Sequence, residues 1–149
     1  MPLRALALCF LLLTCLGTRA EEAPVGYVKT VSGEASVTTG PNRTAAQLGT
    51  PLYIGSQLKT GHKGSLGVTF KDDTVMSFGP DTELTVDQYL YAPGQGKLKL
   101  AATLTRGSLN YISGVIAKLQ PDAVSVTTPT GTIGVRGTQF VVKVEDSAP

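Results

Sequence analysis

The chain has 149 residues, 42% of them hydrophobic, with 13 basic and 11 acidic side chains. Its two cysteines, Cys9 and Cys15, lie in an N-terminal segment that we expect to be removed, which excludes a disulfide framework, a thiol nucleophile and a cysteine-based metal site. Arg4 and Arg19 leave with that segment, so eleven basic residues (13 minus 2) balance eleven acidic ones, and strong attraction to nucleic acid or an anionic membrane is excluded.

The first twenty residues have the features of a signal peptide. A short basic stretch ending at Arg4 precedes an apolar run, ALALCFLLLTCLG, and small residues come before a predicted cleavage site after Ala20. The run is too short to span a bilayer, which takes about 20 residues. The alternative, a lipoprotein signal acylated at Cys15, fits the residue before that cysteine poorly. We therefore predict a signal peptide over 1–20 and a periplasmic or secreted domain over 21–149.

Beyond Ala20 the sequence is typical of short β-strands. Hydrophobic residues alternate with polar ones, and Gly, Pro, Asn and Asp interrupt the pattern at short intervals. The predicted strands are, in chain order, YVKTV, EASV, GSLGVTF, TVMSF, TELTVDQYL, KLKLAATL, LNYI, AVSVTT and QFVVKV. The predicted turns and loops are TTGPNR, DD, GPD, APGQG, RGS and PD.

This spacing predicts an all-β single domain with a core over about residues 25–144, either a β-roll, a twisted solenoid or a sandwich-like fold. A sandwich is the commonest such fold, whereas the units GSLGV, GSLNY and GTIGV resemble solenoid rungs with glycine at each corner. A short helix would fit only at SGVIAKLQ, where Ser113 could cap it and Pro121 could end it. We favour a strand there.

A search for catalytic or metal-binding side chains finds few candidates. His62 is the only histidine, and without a second histidine or a cysteine it cannot anchor a typical zinc or copper site. Its neighbours Gly61 and Gly64 predict a solvated turn residue. No GxSxG nucleophile motif occurs. We therefore assign no catalytic, metal-binding or cofactor-binding residue and expect no cofactor.

Two groups of acidic residues have structural interpretations. Asp72 and Asp73 are adjacent at a predicted hairpin turn, where turn geometry explains them. Asp81, Glu83 and Asp87 share one face of a predicted strand, opposite its apolar face. We interpret that face as solvated, with a calcium site as the minor alternative.

The stretch TPTGTIGVRGTQF, from Thr128 to Phe140, combines three glycines, a proline and one arginine. No lysine follows to reach a phosphate, and strand-like QFVVKV follows instead of a helix, so it is not a phosphate-binding loop. Pro129 favours extended backbone, and the glycines would permit positive φ angles or close backbone approach. We predict a strand, a tight corner and a second strand, with Arg136 bridging the corner by hydrogen bonds to carbonyls or a carboxylate.

At these residues the chain resembles the FecR domain family. Val124–Val142 is similar to that family's signature, an extended TP followed by VRGT, an aromatic residue and a strand. Gly55–Phe78 and Arg106–Tyr111 resemble upstream elements of the same domain in the same order. The resemblance covers about residues 25–144. The signature positions, which we interpret as structural, are Thr128, Pro129, Gly131, Gly134, Val135, Arg136, Gly137, Thr138 and Phe140.

The resemblance implies an all-β periplasmic domain without catalytic residues. The best-known members of the family cross the inner membrane, control a sigma factor through an N-terminal cytoplasmic segment, and receive a signal from an outer-membrane transporter. This chain lacks a predicted cytoplasmic segment and membrane span, so we do not expect it to contact a sigma factor itself. It also stops at Pro149, where family members often continue through another strand or two.

Three functions follow from these observations. The first is a non-enzymatic, exported protein-binding or signalling module whose partner is an envelope protein that pairs with an exposed strand edge. The second is a carbohydrate or cell-wall binding module, suggested by a set of tyrosines of which Tyr89 and Tyr91 would share a strand face. That set is Tyr27, Tyr53, Tyr89, Tyr91 and Tyr111. An enzyme that depends on His62 is third.

Overall fold

The computed structural model describes residues 22–145, and the all-β prediction is confirmed within them. Strands account for 59% of these residues and helix for 9%. The predicted signal peptide lies outside the described residues. The strands are β1 (Gly26–Ser32), β2 (Ala35–Thr39), β3 (Asn42–Ala45), β4 (Pro51–Leu52), β5 (Gln57–Thr60), β6 (Ser65–Phe70), β7 (Val75–Phe78), β8 (Glu83–Ala92), β9 (Lys97–Ile112), β10 (Val124–Thr128), β11 (Gly131–Gly134) and β12 (Gln139–Val144).

The strands form one curled sheet. Its main order is β3-β2-β5-β8-β9-β7-β6-β1-β4. Two further strands, β10 and β12, also pair with β9, and β11 pairs with β10. All pairings are antiparallel except that of β10 with β9. Hairpin pairing of this kind selects the roll-like alternative over a solenoid, whose rungs would stack in parallel.

The long strand β9 joins the two halves of the sheet. Residues 97–106 pair with β8, and residues 109–112 pair with β7. The RGS segment was predicted to separate two strands, and this prediction is wrong. The strand β9 continues through Gly107, which has φ of 90°. The tight turn that joins β7 to β8 lies beside this point of β9, and its residue Thr82 is hydrogen-bonded to β9. The Thr82 Oγ1 atom accepts a hydrogen bond from the amide of Ser108 at 3.0 Å.

The lengths of the chain segments require β9 to curl. Gly134 pairs with Ser125, which in turn pairs with Ala101 of β9. Gln139, only five residues after Gly134, pairs with Ile112 of β9. The five residues from Gly134 to Gln139 span at most about 17 Å, but eleven residues of straight strand would span about 36 Å. The curl of β9 therefore brings the two ends of the sheet together, and the segment after Gly134 crosses between them.

Alternation along the strands fills the core as predicted. On β6, Leu66, Val68 and Phe70 are buried, and Leu84 and Val86 are buried on β8. On β12, Phe140, Val142 and Val144 pack against the core with partial burial. These side chains share one face of each strand because successive residues point to opposite sides of a sheet.

A short helix, α1 (Val115–Leu119), replaces the strand favoured at SGVIAKLQ, so that prediction is wrong. The neighbouring hairpin turn is the cause. The amide of Val115 donates to the Asp72 carbonyl at 2.7 Å, and the amide of Ile116 donates to Asp72 Oδ2 at 3.1 Å. Two of the free amides at the helix start are thereby satisfied by a distant residue, and Ser113 does not cap the helix.

Candidate functional site

The glycine-rich stretch connects the two ends of the curled sheet. Pro129 and Thr130 form the turn between β10 and β11, where the Thr128 hydroxyl donates to the Gly131 carbonyl at 3.0 Å. Residues 135–138 then form an irregular corner that leads into β12. The stretch thus folds as a strand, a corner and a second strand.

The corner is fixed to the end of β9 through its backbone. Ser113 donates twice, from its amide to the Thr138 carbonyl at 2.8 Å and from its hydroxyl to the Gly137 carbonyl at 2.9 Å. Gly137 has φ of 99°, a conformation that favours glycine. Val135 points into the core and is 3% exposed. The corner is therefore a scaffold rather than an open pocket.

Arg136 does not play the part expected of it. Its side chain is exposed and makes no hydrogen bond or ion pair with any residue in the range 22–145. The glycines around it meet one of the two alternatives predicted for them, because Gly137 has a positive φ of 99° whereas a side chain at Gly131, Gly134 or Gly137 would meet no atom within 4 Å. Close backbone approach occurs at other glycines, among them Gly107 and Gly114.

The strand β12 has one free edge. It pairs with β9 in the register Gln139 opposite Ile112 and Val144 opposite Gly107. The Ser113 amide bonds to the Thr138 carbonyl, so the backbone groups of the even-numbered residues of β12 point to β9. The amides and carbonyls of Gln139, Val141 and Lys143 therefore point to the free edge.

Apolar side chains on and beside β12 are incompletely covered. Val141 is 70% exposed, and Ile112, opposite the adjacent Gln139, is 40% exposed. On the other face, Phe140 stacks on Tyr111 with ring centroids 4.7 Å apart, yet Phe140 and Val142 are only partly buried. No further strand covers their outer flank among residues 22–145, so the apolar layer is open there.

The other strand edges of the described sheet are better protected. The edge strand β3 is short and fully exposed, and its side chains are Asn42, Arg43, Thr44 and Ala45. The strand β4 has two residues and begins with a proline, and β11 has four residues including two glycines. Short, polar or proline-containing edges resist pairing with another chain. The edge of β12 is thus the one in the described sheet suited to receive a strand.

Comparison with family models adds the decisive observation. The model described as "FecR protein" matches residues 56–149, which is more than half of the chain. The chain belongs to the FecR family. Searches of curated proteins and of solved structures give no match.

The folded unit of this FecR-family protein extends beyond the matched region. The match begins at Ser56 and covers β5 to β12, but β1 pairs with β6 and β2 pairs with β5 in the same sheet. The first four strands therefore belong to the same sheet as the matched region. In residues 22–145 no helix is both long and apolar enough to cross a membrane.

The FecR domain has a fully buried carboxylate, that of Asp72. Its Oδ1 accepts from the Tyr89 hydroxyl at 3.0 Å, and its Oδ2 accepts from the Thr74 hydroxyl at 2.7 Å and the Ile116 amide at 3.1 Å. Burial and the adjacent Asp72 raise the pKa of Tyr89. Turn geometry alone was therefore an incomplete explanation of Asp72. Its neighbour Asp73 fits that explanation, being exposed with φ of 68°.

A second buried tyrosine lies close to this network. Tyr111 has no exposed surface, and burial raises its pKa. The hydroxyls of Ser113 and Thr74 are close enough to oppose that rise, but neither makes a hydrogen bond of ordinary geometry with the Tyr111 hydroxyl. A buried hydroxyl without a partner is destabilising.

The remaining candidate side chains do not converge on one site, and only His62 and Asp81 among them contact each other. His62 has an 87% exposed side chain, as predicted for a turn residue, and its Nδ1 lies 3.0 Å from Asp81 Oδ2. Glu83 contacts Arg106 at 3.5 Å and accepts from the Gln57 amide group. Asp87 accepts from the Thr103 hydroxyl at 2.6 Å. Across residues 22–145 no three His, Asp or Glu side chains come together as a metal site would require.

The tyrosines do not form one platform. Tyr89 and Tyr91 share a strand face as predicted, but it is the core face, where Tyr89 stacks on Phe70 at 5.4 Å. Tyr111 is fully buried. Tyr53 is half-buried and lines a shallow cleft of about 260 Å³ between β2, β3 and β4, together with Thr39, Asn42, Thr44 and Pro51.

Proposed function

We propose that this FecR-family domain is a non-enzymatic, exported module that binds an envelope protein by strand addition at the free edge of β12. The family is a signalling family associated with the regulation of iron uptake. That association is the sole support for a link to iron in this chain. The predicted signal peptide supports a periplasmic or secreted location.

The observation that carries the proposal is the state of β12. Three residues, Gln139, Val141 and Lys143, direct their backbone amides and carbonyls to the free edge, and an added strand would satisfy them. The partly buried Phe140 and Val142 would at the same time be covered by the incoming strand. Backbone pairing and apolar burial would then act together.

The polar groups of the domain support a binding role over a catalytic one. The buried carboxylate of Asp72 is enclosed and hydrogen-bonded at both oxygens, so a substrate could not reach it. His62 is a solvated side chain on a turn, paired with Asp81. A catalytic site needs such groups to converge on an accessible cleft.

Site-specific photocrosslinking in the native host tests this proposal. A photoreactive amino acid is placed at Val141, and in a control strain at Leu48, which is equally exposed at 71% but lies on no strand. We expect a covalent adduct between this chain and an envelope protein at position 141 and none at position 48. The same adduct from both positions, or none from either, would contradict strand addition at β12.

Two further strains make the test specific. Val141→Pro removes an amide that points to the free edge and leaves the pairing with β9 intact, so a photoreactive group at Lys143 should lose its adduct in that background. Growth with and without iron limitation then tests the regulatory link. A change in adduct yield with iron supply would support the association with iron uptake, and an unchanged yield would count against it.

The Tyr53 cleft favours a second candidate function, binding of a cell-wall saccharide. Sugar rings are bound by aromatic rings together with hydrogen-bonding side chains. The cleft has both, because the half-buried ring of Tyr53 lies beside the exposed amide of Asn42 and the hydroxyls of Thr39 and Thr44. Sedimentation with purified peptidoglycan tests it. Binding that Tyr53→Ala abolishes and Tyr27→Ala leaves unchanged would support the cleft, whereas no sedimentation of the unaltered chain would reject it.

A further inference from the structure

We infer that a second copy of this chain occupies the β12 edge when no other partner does, in an antiparallel pair with Val141 on the two-fold axis. This inference rests on the proposed function because both use the same edge. Three features of β12 support it, namely the direction of its backbone groups, the alternation of its side chains and the placement of its charges.

The backbone geometry restricts the register. In a two-fold pair about an axis perpendicular to the sheet, residues that point to the free edge must face residues that do the same. Val141 then faces Val141 of the second copy, and Gln139 faces Lys143 in both directions. In this register all three edge-pointing residues of β12, Gln139, Val141 and Lys143, face a residue of the other β12, whereas a shift by two residues in either direction leaves one of them facing a position beyond the end of that strand.

The side chains are self-complementary in the same register. On the core face, Phe140 faces Val142 of the second copy, so the apolar layer that is open at β12 continues across the axis. On the outer face, the two Val141 side chains meet, which covers one of the exposed large hydrophobic side chains of the domain. Both faces of the strand therefore gain apolar contacts.

The charges agree with this arrangement. The two copies of Lys143 face Gln139 rather than each other, so no like charges are opposed. Glu145, exposed and 3.4 Å from Lys143, would face the Gly137 position of the second copy. Arg136 is adjacent to Gly137 and has no ion pair with residues 22–145 of its own copy. In the two-fold pair it would lie next to Glu145 of the other copy, and this contact would occur at both ends of the pair.

A second copy also explains how such an edge avoids open-ended pairing. Two-fold pairing uses the same edge on both copies, so each β12 is consumed and assembly stops at two. The other edges of the described sheet are short, polar or proline-containing and would not extend it. An apolar six-residue edge left open would otherwise be an aggregation site.

Single cysteines test the register directly. The full chain is expressed with its own N-terminal segment and recovered from the envelope fraction, with the unaltered chain as the baseline for Cys9 and Cys15. Val141→Cys should give a disulfide-linked or short-bismaleimide-linked dimer under mild oxidation or crosslinking, because facing residues lie about 5.5 Å apart between Cα atoms. Thermal melting of each variant confirms that it is folded.

Two controls have matched chemistry. Leu48→Cys is as exposed as Val141→Cys and should give at least roughly tenfold less dimer, because the pair holds its thiols at a high effective concentration. Gln139→Cys alone should stay monomeric, since its two copies would be about 14 Å apart. Mixing Gln139→Cys with Lys143→Cys should restore the crosslink, because those positions face each other.

The outcomes separate this inference from the proposed function. Dimer from Val141→Cys and from the mixed pair supports it, and dimer no more abundant than from Leu48→Cys overturns it. A strong crosslink from Gln139→Cys alone also overturns it, because the register would be different. If no dimer forms while the photoadduct with an envelope protein does, the proposed function stands alone. If only the dimer forms, the inference stands and the envelope partner does not.

Discussion

The carboxylate of Asp72 accepts a hydrogen bond from the amide of Ile116, 3.1 Å away in space and 44 residues along the chain. This contact ties the hairpin turn between β6 and β7 to the start of α1. Gly114 lies so close that a side chain there would approach the Thr74 amide to 2.3 Å. The contact therefore explains both the helix and the need for a residue without a side chain beside it.

Removal of the Asp72 carboxylate should destabilise the domain. We expect Asp72→Ala to lower the free energy of unfolding by about 3–5 kcal/mol, because buried donors from Tyr89, Thr74 and Ile116 lose their acceptor. Urea unfolding measures the change. Asp73→Asn is the control, since Asp73 is exposed and asparagine tolerates its φ of 68°, and it should be within about 0.5 kcal/mol of the unaltered chain. Equal losses at the two positions would contradict the buried network.

The two buried tyrosines should respond oppositely to the same substitution. Tyr89→Phe removes a hydroxyl that donates to Asp72 Oδ1 and accepts from the Asp72 amide, and should cost about 2–3 kcal/mol. Tyr111→Phe removes a buried hydroxyl without a partner and should stabilise the domain by about 1 kcal/mol. Both variants keep the ring, so packing is matched. Denaturant unfolding of the pair is the measurement, and a large loss from Tyr111→Phe would disprove this interpretation.

Stability should fall in alkaline solution. The pKa values of Tyr89 and Tyr111 are raised in the folded state, first by burial, so the unfolded chain loses these protons at lower pH than the folded one. The stabilisation is complete below the unfolded pKa of about 10 and declines above it, by about 1.4 kcal/mol per pH unit for each group. Unfolding free energies at pH 8, 10 and 11 give the slope. Tyr111→Phe should make the slope of unfolding free energy against pH shallower by the contribution of one tyrosine. An unchanged slope would show that the raised pKa of Tyr111 has no part in the decline.

Two glycines should differ sharply in their tolerance of a methyl group. Gly107→Ala would place its new carbon 2.4 Å from Thr82 Cα at a φ of 90°, and we expect a loss of at least about 3 kcal/mol. Gly134→Ala meets no atom within 4 Å and should change stability by less than about 0.5 kcal/mol, although it lies in the signature. Thermal unfolding compares them. Similar losses would indicate that Gly134 has packing partners that the structure does not show.

Local patterns predicted most of the longer strands and several turns, whereas β3, β4 and β5 were not predicted as strands and TTGPNR, predicted as a loop, has strand residues at both ends. The DD and GPD turns lie between β6, β7 and β8 as expected, and alternation identified Phe140, Val142 and Val144 as core-facing. The exposed state of His62 also followed from its neighbouring glycines. These features depend on residues within a few positions of each other. The bond expected from Arg136 is missing in residues 22–145, because the corner is held by Ser113 instead.

The amino-acid sequence by itself determined the β content, most of the turn positions and the inward face of the longer strands, since all three follow from period-2 alternation and turn chemistry. Only the tertiary structure decided that β9 is one curled strand, that residues 115–119 are helical and that β12 has a free edge. The physical reason is that each of these depends on contacts between segments far apart in the chain. Thr82 packs against Gly107, Asp72 binds the start of α1, and the far side of β12 has no neighbour in the described sheet.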